Sequence, residues 1–137
     1  MELVVDANIL FSALIKESTT RELMLNDELL LRTPEFILGE FLGHIDELEK
    51  KTHARKGMLK EKIIELILQS DINIIPKDEL RSFIGKAKSI SPDPDDFMYF
   101  AVALKLNCAI WSNDKELKKQ SIVMIYSTED LVKCIIK

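Results

Sequence analysis

Acidic residues recur at three comparable places in this sequence, each at the border between an apolar run and a helix-forming stretch. Asp6 follows Leu3-Val4-Val5, Asp93, Asp95 and Asp96 precede the apolar stretch from Phe97, and Asp114 follows the run from Cys108 to Trp111. Glu40 lies one turn into a further stretch, where Ile37, Leu38, Phe41, Ile45 and Leu48 recur at helical spacing. Carboxylates brought together repel one another, and the cost falls when a cation neutralises the group. Oxygen-only ligands suit hard ions such as Mg²⁺ or Mn²⁺, which activate water and stabilise charge on a phosphoryl group in transfer. Helix capping is the competing account of Asp6, Asp96 or Asp114 taken singly; the recurrence favours chemistry, most of all for the three together. Other catalytic sets are missing: there is no Gly-rich phosphate loop, His44 and His53 have no zinc spacing, and Cys108 and Cys134 read as core cysteines.

Positioning these carboxylates requires elements that end where they begin. Apolar runs over 3–5, 29–31, 72–75, 108–111 and 122–126 read as strands. Helices are expected over 7–15, after Thr33-Pro34 with Thr33 as cap, after Gly57, from Glu79 with Asp78 as cap, and over 95–106. Strands alternating with helices imply an α/β fold with a parallel sheet, here expected to be one domain over 1–137. Parallel strands carry their carboxyl ends on one edge, so Asp6 and Asp114 share it whatever the strand order. Ligands of open α/β sheets bind at that edge, where the strand order reverses.

Composition narrows the partners. With 137 residues, 47% hydrophobic and a net charge of −4, the chain can bury a core and is unsuited to gripping nucleic acid over its whole surface. A local basic patch remains open: Lys50, Lys51, Arg55 and Lys56 lie in one charged stretch, and Lys115 follows Asp114. Phosphate contacts and a solvated helix face account for these side chains about equally. No apolar run approaches the ~18 residues of a membrane span, and the first strand starts almost at Met1, so a cytoplasmic protein is expected.

Val5-Asp6-Ala7-Asn8-Ile9-Leu10, Glu40 after Thr33-Pro34, Asp93-Pro94-Asp95-Asp96 before Ala101 and Ala103, and Ile110-Trp111-Ser112-Asn113-Asp114-Lys115-Glu116-Leu117 together resemble the PIN-domain ribonucleases, nearly end to end. The resemblance implies a three-layer α/β/α fold around a parallel sheet of about five strands in the order 3-2-1-4-5. It implies that Asp6, Glu40, Asp96 and Asp114 form an acidic quartet, with Asp6, Asp96 and Asp114 as metal ligands and Glu40 as ligand or water-positioning base. Asn8 and Ser112 would support the site, and Asp93 is a second candidate for the role of Asp96. The implied activity is Mg²⁺- or Mn²⁺-dependent hydrolysis of single-stranded RNA. For small members of the family, the resemblance also implies an antitoxin protein as partner and pairing of two copies, with Phe36, Leu42 and Met58 as candidate contacts. Two alternatives stand beside it. A catalytically silent PIN-like RNA-binding or scaffold module would have little reason to keep crowded carboxylates. A haloacid-dehalogenase-type phosphatase requires Asp-x-Asp, where this chain has Asn8 in the second position.

Overall fold

A computed structural model describes residues 1–15 and 19–135. The N-terminal apolar run forms β1 (Glu2–Val5), with Leu3, Val4 and Val5 fully buried. A strand covered on both faces has no use for polar alternation, which is why the run is unbroken. In chain order there follow α1 (Ala7–Ile15), α2 (Thr19–Met24), β2 (Leu30–Pro34), α3 (Phe36–Lys51), α4 (Met58–Ser70), β3 (Asn73–Ile75), α5 (Arg81–Ile90), α6 (Phe97–Leu106), β4 (Ala109–Trp111), β5 (Ile125–Tyr126) and α7 (Thr128–Ile135). The sheet has the order β3-β2-β1-β4-β5 and every pairing is parallel, as expected.

Order reverses between β1 and β4. Their register pairs Val4 with Ile110 and Val5 with Trp111. The helices fall into two groups around the sheet: α1 packs with α2, α3 and α4, and α7 joins them through α2, whereas α6 packs with α5 and lies along β1, β2 and β4. Helix α6 is apolar nearly all round, and Met98 to Ala103 are all buried. Fully burying a large aliphatic or aromatic side chain contributes about 1.5–3 kcal/mol. That core, in which Tyr99, Phe100 and Trp111 are the bulkiest buried members, offsets the cost of holding carboxylates at its edge.

Several local expectations give way to tertiary contacts. Thr33 and Pro34 end β2 instead of opening a helix, because the Thr33 hydroxyl donates to the Val5 carbonyl at 3.0 Å across the sheet. Helix α3 therefore starts at Phe36, with Glu35 in the cap position. Leu38 is exposed, while Ile37 and Ile45 are buried as expected; the side chains of Phe41 and Leu42 lie outside those described. Asp78 pairs with Arg81 at 2.8 Å within a short 3₁₀ turn, and α5 starts only at Arg81. The fifth strand is confined to two residues. The Gln120 side chain folds back, its amide oxygen accepting from the Ile122 and Val123 N–H groups, so that backbone is satisfied locally and does not extend the sheet. Cys108 is half-buried and burial pushes its thiol up to about 11, whereas Cys134 is exposed and not a core residue.

Candidate functional site

The β1–β4 register sets the first contact. One residue beyond Val5 and Trp111 stand Asp6 and Ser112, side by side at the carboxyl edge, both buried. The Ser112 hydroxyl hydrogen-bonds the Asp6 carboxylate and accepts the backbone N–H of Asp114 at 3.1 Å. One serine thus ties the ends of the two central strands together. Asp6 Oδ1 also accepts the Ile9 N–H at 3.0 Å, capping α1, and Asp114 Oδ1 accepts the Glu116 N–H at 3.0 Å, capping a 3₁₀ helix over Lys115–Lys119. Asp96 makes no side-chain capping bond, contrary to one of the three capping roles raised by the sequence, whereas the roles of Asp6 and Asp114 as caps are real. They account for one carboxylate oxygen each.

Asp96 occupies the position before the first residue of α6, in a turn where its N–H bonds the Asp93 carbonyl at 3.1 Å. Asp93, Asp96 and Asp114 each present a carboxylate oxygen within 4.8 Å of the others, all half-exposed. Beside them, Asp6, Asn8, Glu40 and Asp96 line a cavity of about 210 Å³ together with Ala7, Phe11, His44 and Tyr99. Asp6, Glu40 and Asp96 of the expected quartet therefore face one cavity, whereas Asp114 meets Asp96 and Asp93 in the carboxylate group and lines a separate cavity with Ser112.

Electrostatics report the crowding. Burial is the main cause pushing the Asp6 carboxyl up to about 6; the charges of Asp114 and Glu40 add to it, and hydrogen bonds from Ser112 and Ile9 act against it. Asp96 is pushed up to about 6 by partial burial first, then by the charges of Asp93, Asp6, Glu40 and Asp114. Hydrogen bonds to a carboxylate normally pull its pKa down. Here desolvation and like charge prevail.

Tyr99 is the member that sequence reading missed. Its hydroxyl accepts the Ala7 N–H at 3.2 Å and donates to Glu40 Oε2 at 3.0 Å, joining α1, α3 and α6 at the site. The Phe36 ring meets it edge-on, with centroids 6.2 Å apart. Burial first, then the Glu40 and Asp6 charges, raises the Tyr99 hydroxyl, so it remains a donor at neutral pH. Tyr99 lies one helical turn after Asp96, on the same face of α6, and that spacing is the only signal in the sequence. His44, one turn after Glu40 on α3, also reaches the cavity wall.

Of the basic candidates, Lys115 lines a cavity of about 340 Å³ with Ser112, Asp114 and Lys118. Lys51 lines a smaller one beside the acidic cavity, described below. Arg55 pairs with Glu61 at 3.7 Å, and Lys50 and Lys56 are exposed on the surface.

Comparison with known proteins agrees with this fold. No curated protein matches the sequence. Among solved structures, VapBC2 from Rickettsia felis bound to a DNA fragment from their promoter is similar in fold, with a TM-score of 0.68 and 14% identity over 93% of this chain and 98% of that one. The family profile described as PIN domain matches residues 4–131, spanning β1 through α7, so the chain belongs to the PIN-domain family.

Proposed function

We propose that this chain is a divalent-metal-dependent ribonuclease that hydrolyses phosphodiester bonds of single-stranded RNA at the acidic cavity. The observation that carries the reading is the meeting of Asp6, Glu40, Asp93, Asp96 and Asp114 at one sheet edge, with two of the carboxyls held up to about 6 by burial and mutual charge. Oxygen donors spaced within 4.8 Å fit a hard divalent cation, and the raised carboxyls indicate a site that gains by neutralisation. Asp6, Asp96 and Asp114 would hold Mg²⁺ or Mn²⁺, with Asp93 a second candidate beside Asp96. When bound, the ion lowers the pKa of water and offsets charge on the phosphoryl group.

The protein groups supply position and proton handling. Ser112 holds Asp6 in orientation through its hydroxyl. Tyr99 occupies one oxygen of Glu40, which fixes the carboxylate and leaves Oε1 to accept a proton from the attacking water. Asn8, exposed on the cavity rim, offers an amide donor to a phosphate oxygen. Lys51 lines a cavity that shares Phe11 and His44 with the acidic one, and Lys115 lines another beside Asp114; their ammonium groups would contact flanking phosphates.

Cleavage of labelled single-stranded RNA with Mg²⁺ or Mn²⁺, with and without EDTA, tests the assignment. Cleavage that EDTA abolishes is the expected result. A wild-type protein that cuts no RNA with either metal, across mixed-sequence substrates, overturns it.

The similarity to the VapBC2 assembly supports reading the chain as the toxin of a toxin–antitoxin pair, and pairing of two copies belongs to the same proposal. Co-purification with the product of a short reading frame directly upstream is the measurement that checks the partner. Residue-level support for pairing is confined to the edge of α3 and α4, where Phe36 is exposed and Met58 half-buried. Among the described residues no helix is long and apolar enough to cross a membrane.

A further inference from the structure

Phe11 and His44 line two cavities at once. One is the acidic cavity, and the other, of about 180 Å³, continues along α3 between Phe11, His44, Glu47, Leu48 and Lys51. Glu40, His44, Glu47 and Lys51 are spaced four, three and four residues apart, so they form one stripe along the helix. At ~1.5 Å rise per residue, His44 stands ~6 Å and Lys51 ~16 Å beyond Glu40 along the axis. An aromatic and imidazole wall therefore leads directly from the acidic cavity to an ammonium group.

A substrate phosphate entering the acidic cavity meets carboxylates, so affinity for the strand must come from groups outside it. Stacking of bases on flat side chains and contacts from lysine to phosphates are the two usual sources for single-stranded nucleic acid. We propose, on the basis of the ribonuclease reading above, that the cavity between Phe11, His44 and Lys51 is a nucleotide subsite. The base next to the scissile phosphate packs against His44 and Phe11, and a phosphate farther along the strand is held by Lys51. The volume, about six waters' worth at ~30 Å³ each, is on the scale of a single planar base. Lys51 now pairs with Glu47 at 3.5 Å, with both side chains mostly exposed. Exposed pairs of this kind are weak, and a phosphate displaces the carboxylate readily. Glu47 then acts as a brake on binding.

The experiment uses a fluorescein-labelled mixed-sequence 12-nucleotide RNA (about twelve so that both cavities are spanned) and reads anisotropy in an Asp6→Asn background with Mg²⁺. His44→Ala is expected to weaken binding about tenfold with no change in salt dependence, and His44→Phe to restore it, because a phenyl ring stacks as an imidazole does. Lys51→Ala is expected to weaken binding and make the logarithmic salt slope shallower by about 0.7. Glu47→Gln is expected to tighten it. His44 and Lys51 are exposed, so the variants fold, as melting curves would verify. If His44→Ala and Lys51→Ala bind as tightly as their parent, the subsite is overturned, while cleavage by wild type keeps the nuclease reading intact. If His44→Phe binds no better than His44→Ala, the stacking role is overturned. If wild type cuts no RNA yet these variants lose binding as described, the nuclease reading falls and the nucleotide subsite stands.

Discussion

Asp6 and Asp130 both stand at helix starts, and the structure treats them in opposite ways. Asp130 belongs to a reciprocal cap on α7: Ser127 N–H donates to its carboxylate at 2.9 Å, the Asp130 N–H donates to the Ser127 hydroxyl at 3.1 Å, and Lys118 pairs with it at 3.1 Å. Those bonds, the Ser127 N–H first and Lys118 second, hold the carboxyl down to about 2. Asp6 also caps a helix, yet burial and neighbouring carboxylates push it up to about 6. A capping hydrogen bond therefore does not distinguish Asp130 from Asp6, for which a functional role is proposed. The distinction lies in the rest of the surroundings: donors and a cation around Asp130, apolar core and like charge around Asp6. A region of the second kind is stable at neutral pH only by drawing on the core behind it or on a bound cation.

Replacing Asp6 breaks this contrast most directly. Asn keeps the size and one acceptor oxygen, and as a cap it is about as good as Asp. Asp6→Asn is expected to lower RNA cleavage by orders of magnitude, because the charge that would hold the ion is gone, while the fold survives. A variant that cleaves as wild type would put Asp6 in the same class as Asp130.

Tyr99→Phe sharpens the comparison by removing a support without touching a charge. It strips Glu40 of its donor and leaves the buried Ala7 N–H without an acceptor. Cleavage is expected to fall roughly 10- to 100-fold through misplacement of Glu40, and stability by about 1–3 kcal/mol from the orphaned N–H. Denaturant melts and single-turnover rates on one preparation check both; full activity would show that Glu40 needs no positioning.

The two regions also predict opposite responses to pH. The folded-state pKa of Asp6, about 6, lies above its ordinary value of 3.8, so the fold disfavours the ionised form. Its contribution to stability is fully present below about 4 and is lost as pH rises through 6, by roughly 3 kcal/mol. Asp96 acts in the same direction and adds less, being half-exposed and coupled to Asp6. In EDTA the melting temperature is expected to fall from pH 5 to pH 7, Mg²⁺ or Mn²⁺ to offset the fall, and Asp6→Asn to flatten it. Wild type and Asp6→Asn melting in parallel across that range would remove the electrostatic argument. Asp130 runs the other way: its contribution is present above about 4 and is lost only as pH falls toward 2.

The smallest effect is expected at the ordinary cap. Ser127→Ala removes an oxygen that the Asp130 N–H uses, at a cost of about 1 kcal/mol. RNA cleavage by this variant should match wild type, as a thermal melt and one rate measurement would verify.

Much of this molecule was legible in residue order. Leu3-Val4-Val5 announces a strand buried on both faces, and the polar switch at Asp6 marks its carboxyl end, because strand burial and strand ends are local properties of the chain. Asp114 and the Asp93–Asp96 turn follow the same logic, and the matching of four spaced motifs to the PIN-domain family supplied the role expected of Glu40 and the strand order. What tertiary structure alone decided are roles between residues far apart in sequence. Tyr99 bonds residues 92 and 59 positions away, and nothing near it in the chain announces either partner. Thr33 had the look of a helix cap until the Val5 carbonyl on the neighbouring strand gave its hydroxyl a better use. Asp6 and Asp130 show the same local signal, an aspartate at a helix start, and only packing sets one pKa near 6 and the other near 2. Local patterns fix where backbone elements begin and end through hydrophobic period and capping; desolvation and charge depend on everything within a few ångströms, and the chain specifies that only once it is folded.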